Sequence, residues 1–302
     1  MFATEDAGDG AIWSRRWWTP PGLTADGAGW FGDLGAAGVS SLDDPRLIWT
    51  LFEMRNRYHL ALLDGGPAGA MSLVRSKRFI TPLQNAIARH VVEESARLGR
   101  MLGTLPERSV PMRPQEWAQA PSAPFLATER QICDGVNTWT NQDIVVMAGR
   151  RLAMSLNVKS QMSSFGKNFH TYARIISGET AHLRRPDRRL VCGLFYLFPA
   201  ESPMPREGRL PERPNFDVIL DAVRYLGGRA SAEGERDELD EVCALVVDFH
   251  FDDPGQDPEI LSTVADFEAR GLRTPSQETL DALSTDGFAE RLIAKSRERY
   301  AW

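Results

Sequence analysis

The sequence predicts an α/β fold in which a mixed central sheet is flanked by helices. Helical hydrophobic periodicity occurs first, at 45–63 and 83–102. Two short apolar segments, 144–147 and 152–158, then flank an Ala-Gly-Arg-Arg turn and predict a β-hairpin. The nearly continuous apolar segment 190–198 is typical of a strand that is buried on both faces. Helical patterns follow it, so the order of elements differs from a regular βαβ succession.

The first part of the chain predicts an additional N-terminal region. Residues 1–45 combine Gly, Trp, Asp and Pro with little periodicity, which is typical of irregular structure. The helix at 45–63 is expected to stop at the Asp-Gly-Gly sequence of 64–66. We therefore expect an irregular and helical region, 1–80, that packs on a main domain, 81–302.

Further helices are predicted around the central strand. They cover 170–177 and 216–226, and the segment 237–247 is either a helix or a helix that leads into a strand. The last helix is expected to begin at the sequence TPSQ, 274–277. Its threonine would be the N-cap, with proline at the first helical position and glutamine completing a capping box. This helix continues in broken form to Tyr300.

Charge is distributed unevenly along the chain. The formal net charge is −6, which by itself disfavours a nucleic-acid-binding protein. Residues 150–213 nevertheless contain twelve lysines and arginines against five acidic residues, whereas 233–268 contain thirteen acidic residues against one arginine. One interpretation is an ordinary solvated surface. The other is a basic surface that faces phosphates, with an acidic surface elsewhere.

Composition also predicts the compartment. No apolar segment approaches the roughly 18 residues that a membrane-spanning helix requires. The N-terminal segment lacks the basic start and apolar core of a secretory signal. The three cysteines are too few and too scattered for a disulfide framework or a zinc site. We expect a cytoplasmic protein without membrane contact.

The hairpin carries a row of polar side chains whose functional groups suit catalysis. Because side chains alternate along a strand, Asn157, Lys159 and Gln161 share one face of its second strand. Asp143 is expected to open the first strand and to lie near them. Mg²⁺ prefers oxygen ligands, and an adjacent lysine can stabilise developing negative charge. The pattern therefore fits metal-dependent phosphodiester hydrolysis, although the same spacing also occurs in ordinary surface hairpins.

A longer stretch of sequence resembles a known family. The segments QDIVV at 142–146 and LNVKSQMSSFGKNF at 156–169 resemble the core of the XhoI-type restriction endonucleases, which belong to the PD-(D/E)XK nuclease superfamily. In that family an Asp opens a hydrophobic strand, Glu-x-Lys-Ser-Gln ends the next, and Ser-Phe-Gly-Asn-Asn-Phe follows. The similarity covers about residues 135–200. It implies a restriction-endonuclease-like fold for the main domain.

The resemblance implies roles for three residues. Asp143 would be the principal metal ligand, Lys159 the catalytic lysine and Gln161 a polar support of the catalytic site. The implied cofactor is Mg²⁺. The loop after Gln161 is one residue shorter than the family pattern.

One position departs from the family in its chemistry. Asn157 stands where the family has Glu, so it would bind metal through its amide oxygen and supply no charge. Glu93 or Glu94, in the helix predicted at 83–102, could supply the missing charge. We expect Glu93 as the additional metal ligand.

DNA contacts are expected in the basic segment that follows the hairpin. Lysine, arginine, asparagine and histidine side chains suit phosphates and base edges. The residues expected to contact DNA are Lys167, Asn168, His170, Arg184 and Arg185.

The resemblance implies a type II restriction endonuclease that hydrolyses double-stranded DNA at a short specific sequence. Cleavage of both strands at a palindrome favours a homodimer. Two alternatives remain open. Asn157 favours a catalytically weak or inactive nuclease-fold protein that only binds DNA. The overall acidity favours a structural or regulatory protein unrelated to nucleic acid.

Overall fold

The structure is a computed structural model. It describes residues 45–99, 102–104, 124–133, 139–148, 151–163, 165–203, 211–227, 238–253 and 255–302. The expectation of irregular structure for 1–45 lies outside the described residues, apart from Pro45, which begins the first helix.

In the part of the chain that the structure describes, two helices precede the sheet. Helix α1 spans Pro45–Val74 and α2 spans Lys77–Arg97. The expected stop at 64–66 produces a kink rather than an end: Gly66 has a φ of 59°, and the helix resumes after it. The expected domain boundary after residue 80 falls inside α2.

Within the described residues the sheet has seven strands, which neighbour one another in sequence order. They are β1 (Gly103–Thr104), β2 (Phe125–Cys133), β3 (Trp139–Ala148), β4 (Arg151–Ser160), β5 (Val191–Pro199), β6 (Glu241–Asp248) and β7 (Glu259–Ile260). Strands β2, β3 and β4 are antiparallel, β4, β5 and β6 are parallel, and β7 is antiparallel to β6. The sheet is therefore mixed, as the sequence predicts.

The predicted hairpin is confirmed. Strands β3 and β4 pair in register from Ile144 opposite Leu156 to Ala148 opposite Arg151, with an irregularity at Met147. Strand β3 begins at Trp139, so Asp143 lies inside it and does not open it. The neighbouring strand β2 has no counterpart among the elements that the sequence predicts.

Helix α3, Phe165–Leu183, connects the parallel strands β4 and β5. It is longer at both ends than the helix predicted at 170–177. Strand β5 is buried along its whole length, in agreement with its continuous apolar sequence. Helix α4, Phe216–Tyr225, follows almost as predicted.

The last third of the chain differs most from the sequence expectation. Residues predicted as a helix, or as a helix leading into a strand, form β6. The short helix α5 spans Val264–Ala269, and the expected final helix is divided into α6, Gln277–Ala282, and α7, Phe288–Tyr300. The N-cap of α6 is Ser276, not Thr274, because the Ser276 side chain accepts from the Thr279 backbone N–H.

The helices cover both faces of the sheet. One hydrophobic cluster joins α1, α2 and α7 to one face, through Met154, Leu156 and Val158 of β4. A second cluster joins α3 and α4 to the other face, through Leu194 and Tyr196 of β5. Each large apolar side chain that is fully buried stabilises the fold by about 2 kcal/mol.

A glycine allows α7 to approach the sheet. A Cβ atom built on Gly193 of β5 would lie 2.9 Å from Cδ2 of Leu292 and 3.1 Å from Cδ1 of Leu156. The side chain of Leu292 therefore occupies the space that a larger residue on β5 would need.

Candidate active site

Asp143 and Lys159 meet where the hairpin strands run side by side. The Lys159 Nζ lies 3.6 Å from Asp143 Oδ2, and the Val158 backbone N–H donates to the same oxygen at 2.9 Å. Asp143 is buried, whereas a third of the Lys159 side chain is exposed. The backbone bond fixes the carboxylate, and the ammonium group remains accessible from solvent.

Asn157 shares this face of β4 with Lys159. Residues 157 and 159 pair with Leu194 and Tyr196 of β5, which belong to the cluster on the α3 side of the sheet. Asn157 is 4% exposed, and its Oδ1 has no hydrogen-bond partner. A buried acceptor without a partner is destabilising by about 1–3 kcal/mol, so such an atom calls for an explanation.

Glu179 of α3 is a residue that the sequence interpretation missed. Its pKa is raised because the carboxyl group is removed from water and because Asp143 is a like charge nearby, while the Lys159 ammonium lowers it. Glu179 is thus electrostatically coupled to both residues of the pair. Its Oε2 is buried and has no hydrogen-bond partner.

Gln161 is held between three elements. Its Nε2 donates to the Phe165 carbonyl oxygen at 3.2 Å, and its Oε1 accepts from the Tyr196 hydroxyl at 2.9 Å. The side chain is 3% exposed. It therefore joins the end of β4 to the start of α3 and to β5, which makes it a positioning residue.

The structure does not bring Glu93 to this site. Its carboxylate forms an ion pair with Arg46 at 2.6 Å, and its side chain is 46% exposed. Glu94 is paired with Arg97 at 2.7 Å. Both acids lie on α2, which packs on the opposite face of the sheet from α3. Besides Asp143, the carboxylate that interacts with Lys159 on this face is that of Glu179.

The expectation for Arg184 as a DNA contact is wrong. Arg184 is 4% exposed and forms a buried ion pair with Asp240. It also donates to the carbonyl oxygens of Leu190, at 3.0 Å, and Glu238. Asp240 in turn accepts from the Cys192 backbone N–H at 2.7 Å. Arg184 therefore joins the end of α3 to β5 and to the segment before β6.

The other expected DNA contacts lie on or next to α3. Arg185 is exposed just after the helix, and His170 is exposed on it, about half a turn around the helix axis from Glu179. Lys167 and Asn168 belong to the first turn of α3, and their side chains lie outside the described residues.

The donor set fits a hard divalent cation. Asp143 and Glu179 offer carboxylate oxygens, and Asn157 offers an amide oxygen, which are ligand types that Mg²⁺ accepts. The two oxygens without partners, on Asn157 and Glu179, are the buried acceptors that a cation would satisfy. Among the described residues no group of three or more His, Cys, Asp or Glu could hold a metal. The set here comprises two carboxylates and an amide.

Sequence spacing gave little signal for Glu179. It lies twenty residues after Lys159 and on a different element, so the alternation along β4 does not include it. The available signal was its context: Glu179 is the one acidic residue in α3, and it follows the buried Ile176 by three positions. That spacing places it beside the face that packs on the sheet.

Comparisons with protein families, with curated proteins and with solved structures found no match. In the part of the chain that the structure describes, no helix has the length and apolarity needed to cross a membrane.

Proposed function

We propose that the protein is a cytoplasmic, Mg²⁺-dependent endonuclease of the restriction type that hydrolyses double-stranded DNA. The XhoI-type resemblance supplies the reaction class and the restriction-endonuclease-like fold for the main domain. The observation that carries the proposal is the pair of buried oxygens without partners, Asn157 Oδ1 and Glu179 Oε2, beside the Asp143–Lys159 pair. A bound cation would satisfy both acceptors.

Asp143, Asn157 and Glu179 would hold the metal. Glu179 supplies the negative charge that Asn157 lacks, so the site has two carboxylates as its family counterpart would. Bound Mg²⁺ supplies electrostatic stabilisation of the phosphate and acidifies a coordinated water. This chemistry does not require a carboxylate at position 157.

Lys159 would be the group that acts on the substrate. Its side chain is one-third exposed, and its Nζ lies 3.6 Å from Asp143 Oδ2. There it can donate to an attacking water or to a phosphate oxygen on which negative charge develops. Asp143 holds the ammonium in place and is itself held by the Val158 backbone N–H.

Cleavage of both DNA strands at a short palindrome requires two such sites. A homodimer with a two-fold axis supplies them in the matching orientation. We therefore propose that two copies act on one recognition sequence.

Digestion of a long defined DNA with Mg²⁺ by wild type and by Lys159→Ala tests the proposal. Discrete fragments are expected from wild type and none from the variant. Arg151→Ala is the matched control, since Arg151 is an exposed cation at the opposite end of β4. A fully active Lys159→Ala variant would overturn the site assignment.

A second candidate function is DNA binding without cleavage, and the neutral Asn157 favours it. The same digestion, repeated with Mn²⁺, distinguishes the two functions. Tight DNA binding without cleavage fragments under either metal would favour DNA binding alone over the nuclease function. Binding that is absent, or that salt does not weaken, would favour a protein unrelated to nucleic acid.

A further inference from the structure

Two exposed apolar side chains lie on α3 near the candidate active site. The Tyr172 side chain is 42% exposed and that of Ile175 is 47% exposed. A single exposed apolar residue is ordinary in a soluble protein. Tyr172 and Ile175, however, lie within one turn of each other on α3, the helix that carries Glu179.

Helical geometry places both on the flank of α3 that carries Glu179. At about 100° per residue, Tyr172, Ile175 and Glu179 fall within an arc of about 60°, and Tyr172 lies roughly 10 Å from Glu179 along the axis. Burial raises the pKa of Tyr196, whose hydroxyl donates to Gln161, and the neighbouring Tyr172 phenol adds to this rise. The flank therefore lies near Tyr196, which pairs with Lys159 in the sheet.

The charges along this flank suit a nucleic-acid strand. Glu179 is the only acidic residue in the sequence of α3. The Lys159 ammonium is partly exposed and can neutralise a phosphate. An aromatic ring on the same flank can contact the base or sugar next to that phosphate.

We propose that Tyr172 and Ile175 hold an unstacked nucleotide of the DNA strand, next to the bond that is cleaved. This inference rests on the proposed nuclease function. Within an intact duplex both faces of a base are covered by its neighbours, so a ring can stack on a base only after that base has left the stack. The preferred substrate is therefore DNA with a locally opened or bulged position beside the cleaved bond.

The test measures binding of the full chain to two DNAs by fluorescence anisotropy, in a chelator so that no cleavage occurs. One DNA is an intact duplex and the other is the same duplex with a single-nucleotide bulge. Wild type is expected to bind the bulged duplex more tightly. Tyr172→Ala should weaken binding of the bulged duplex by roughly 5- to 100-fold, the loss of one stacked base.

Two further variants separate stacking from a general loss of structure. Tyr172→Phe keeps the ring and should keep the preference. Tyr225→Ala removes a tyrosine that is 69% exposed on α4 and should also keep it. If wild type binds both DNAs but shows no preference, or if Tyr172→Ala retains it, this inference alone is overturned. If wild type binds neither DNA, the proposed function fails as well.

Discussion

At the scale of single residues, the candidate site is defined by atoms that lack partners. Asn157 Oδ1 and Glu179 Oε2 are buried acceptors, while Asp143 is held by a backbone N–H and by Lys159. The fold thus positions the Lys159 ammonium group and the Asp143 carboxylate. The other two oxygens have no hydrogen-bond partner. A buried acceptor without a partner is destabilising, so these two oxygens are the atoms that the proposed cation would satisfy.

Asn157→Asp tests whether the amide at 157 is a metal ligand. The variant places a third carboxylate beside Asp143 and Glu179, so like-charge repulsion should lower its Tm in a chelator. Added Mg²⁺ should reverse this loss, and half-maximal cleavage should need roughly tenfold less Mg²⁺. Thermal denaturation and cleavage titrations measure both effects. Asn215→Asp, which adds the same charge at an exposed position before α4, should show neither.

At the scale of elements, the placement of Glu179 depends on how α3 is held. Gln161 connects the end of β4 to the first turn of α3 and to Tyr196 of β5. The rings of Tyr196 and Phe169 are stacked with centroids 6.5 Å apart, which adds a contact between β5 and the same helix. Together these contacts determine which face of α3 meets the sheet.

Tyr196→Phe should therefore impair cleavage more than its effect on stability explains. Loss of the hydroxyl removes one buried hydrogen bond, about 1 kcal/mol of folding free energy, and loosens Gln161. Tyr58→Phe is the matched control, because the Tyr58 hydroxyl donates to the Pro203 carbonyl oxygen at 2.7 Å and its ring packs on the other face of the sheet. Urea denaturation should show similar losses, with cleavage reduced only in Tyr196→Phe. Equal cleavage activity in Tyr196→Phe and Tyr58→Phe would contradict a positioning role for Gln161.

A second prediction at this scale concerns the packing of α1. Burial and the neighbouring Arg55 guanidinium lower the pKa of His59 from 6.5 to about 4. The unfolded chain therefore takes up a proton before the folded protein does. The free energy of unfolding should therefore fall as the pH decreases from 6.5 to about 4. The total loss from this one group is about 3 kcal/mol. Urea denaturation at several pH values should show that His59→Gln loses less stability than wild type as the pH decreases. An identical pH dependence in the two proteins would contradict this.

The elements that the sequence predicted well are those whose pattern is local. Alternation predicted the β3–β4 hairpin, and continuous apolar sequence predicted β5. The segment that contains β6 was interpreted as a helix, or as a helix that leads into a strand, because its two buried faces remove the alternation. Glu179 was missed and Arg184 was expected to contact DNA for a different reason: the surroundings of both residues depend on which face of the sheet α3 covers.

At the scale of the whole molecule, the net charge of −6 coexists with a segment, 150–213, in which lysine and arginine outnumber acidic residues. Much of the positive charge after the hairpin follows α3, where Arg185 and Arg188 are exposed. Arg184, by contrast, is neutralised internally by Asp240. DNA binding should therefore depend on a few exposed cations and not on the total charge.

Arg185→Ala tests this dependence. The logarithm of the DNA-binding constant should fall linearly with the logarithm of salt concentration, and the variant should reduce the slope by about 1. Arg273→Ala is the control, since Arg273 is exposed but lies beside Asp217. Its slope should match that of wild type. Anisotropy titrations across a salt series provide the slopes, and a wild-type affinity that salt does not change would exclude phosphate contacts.

Binding of a divalent cation tests the proposed metal site at Asp143, Asn157 and Glu179 itself. Mn²⁺ can be titrated into wild type, Asp143→Asn, Glu179→Gln and Glu93→Gln, with free Mn²⁺ measured by electron paramagnetic resonance. We predict saturable binding to wild type and Glu93→Gln, and at least tenfold weaker binding to Asp143→Asn and Glu179→Gln. Unchanged Mn²⁺ affinity in Asp143→Asn and Glu179→Gln, or no binding to wild type, would contradict a metal site at this hairpin.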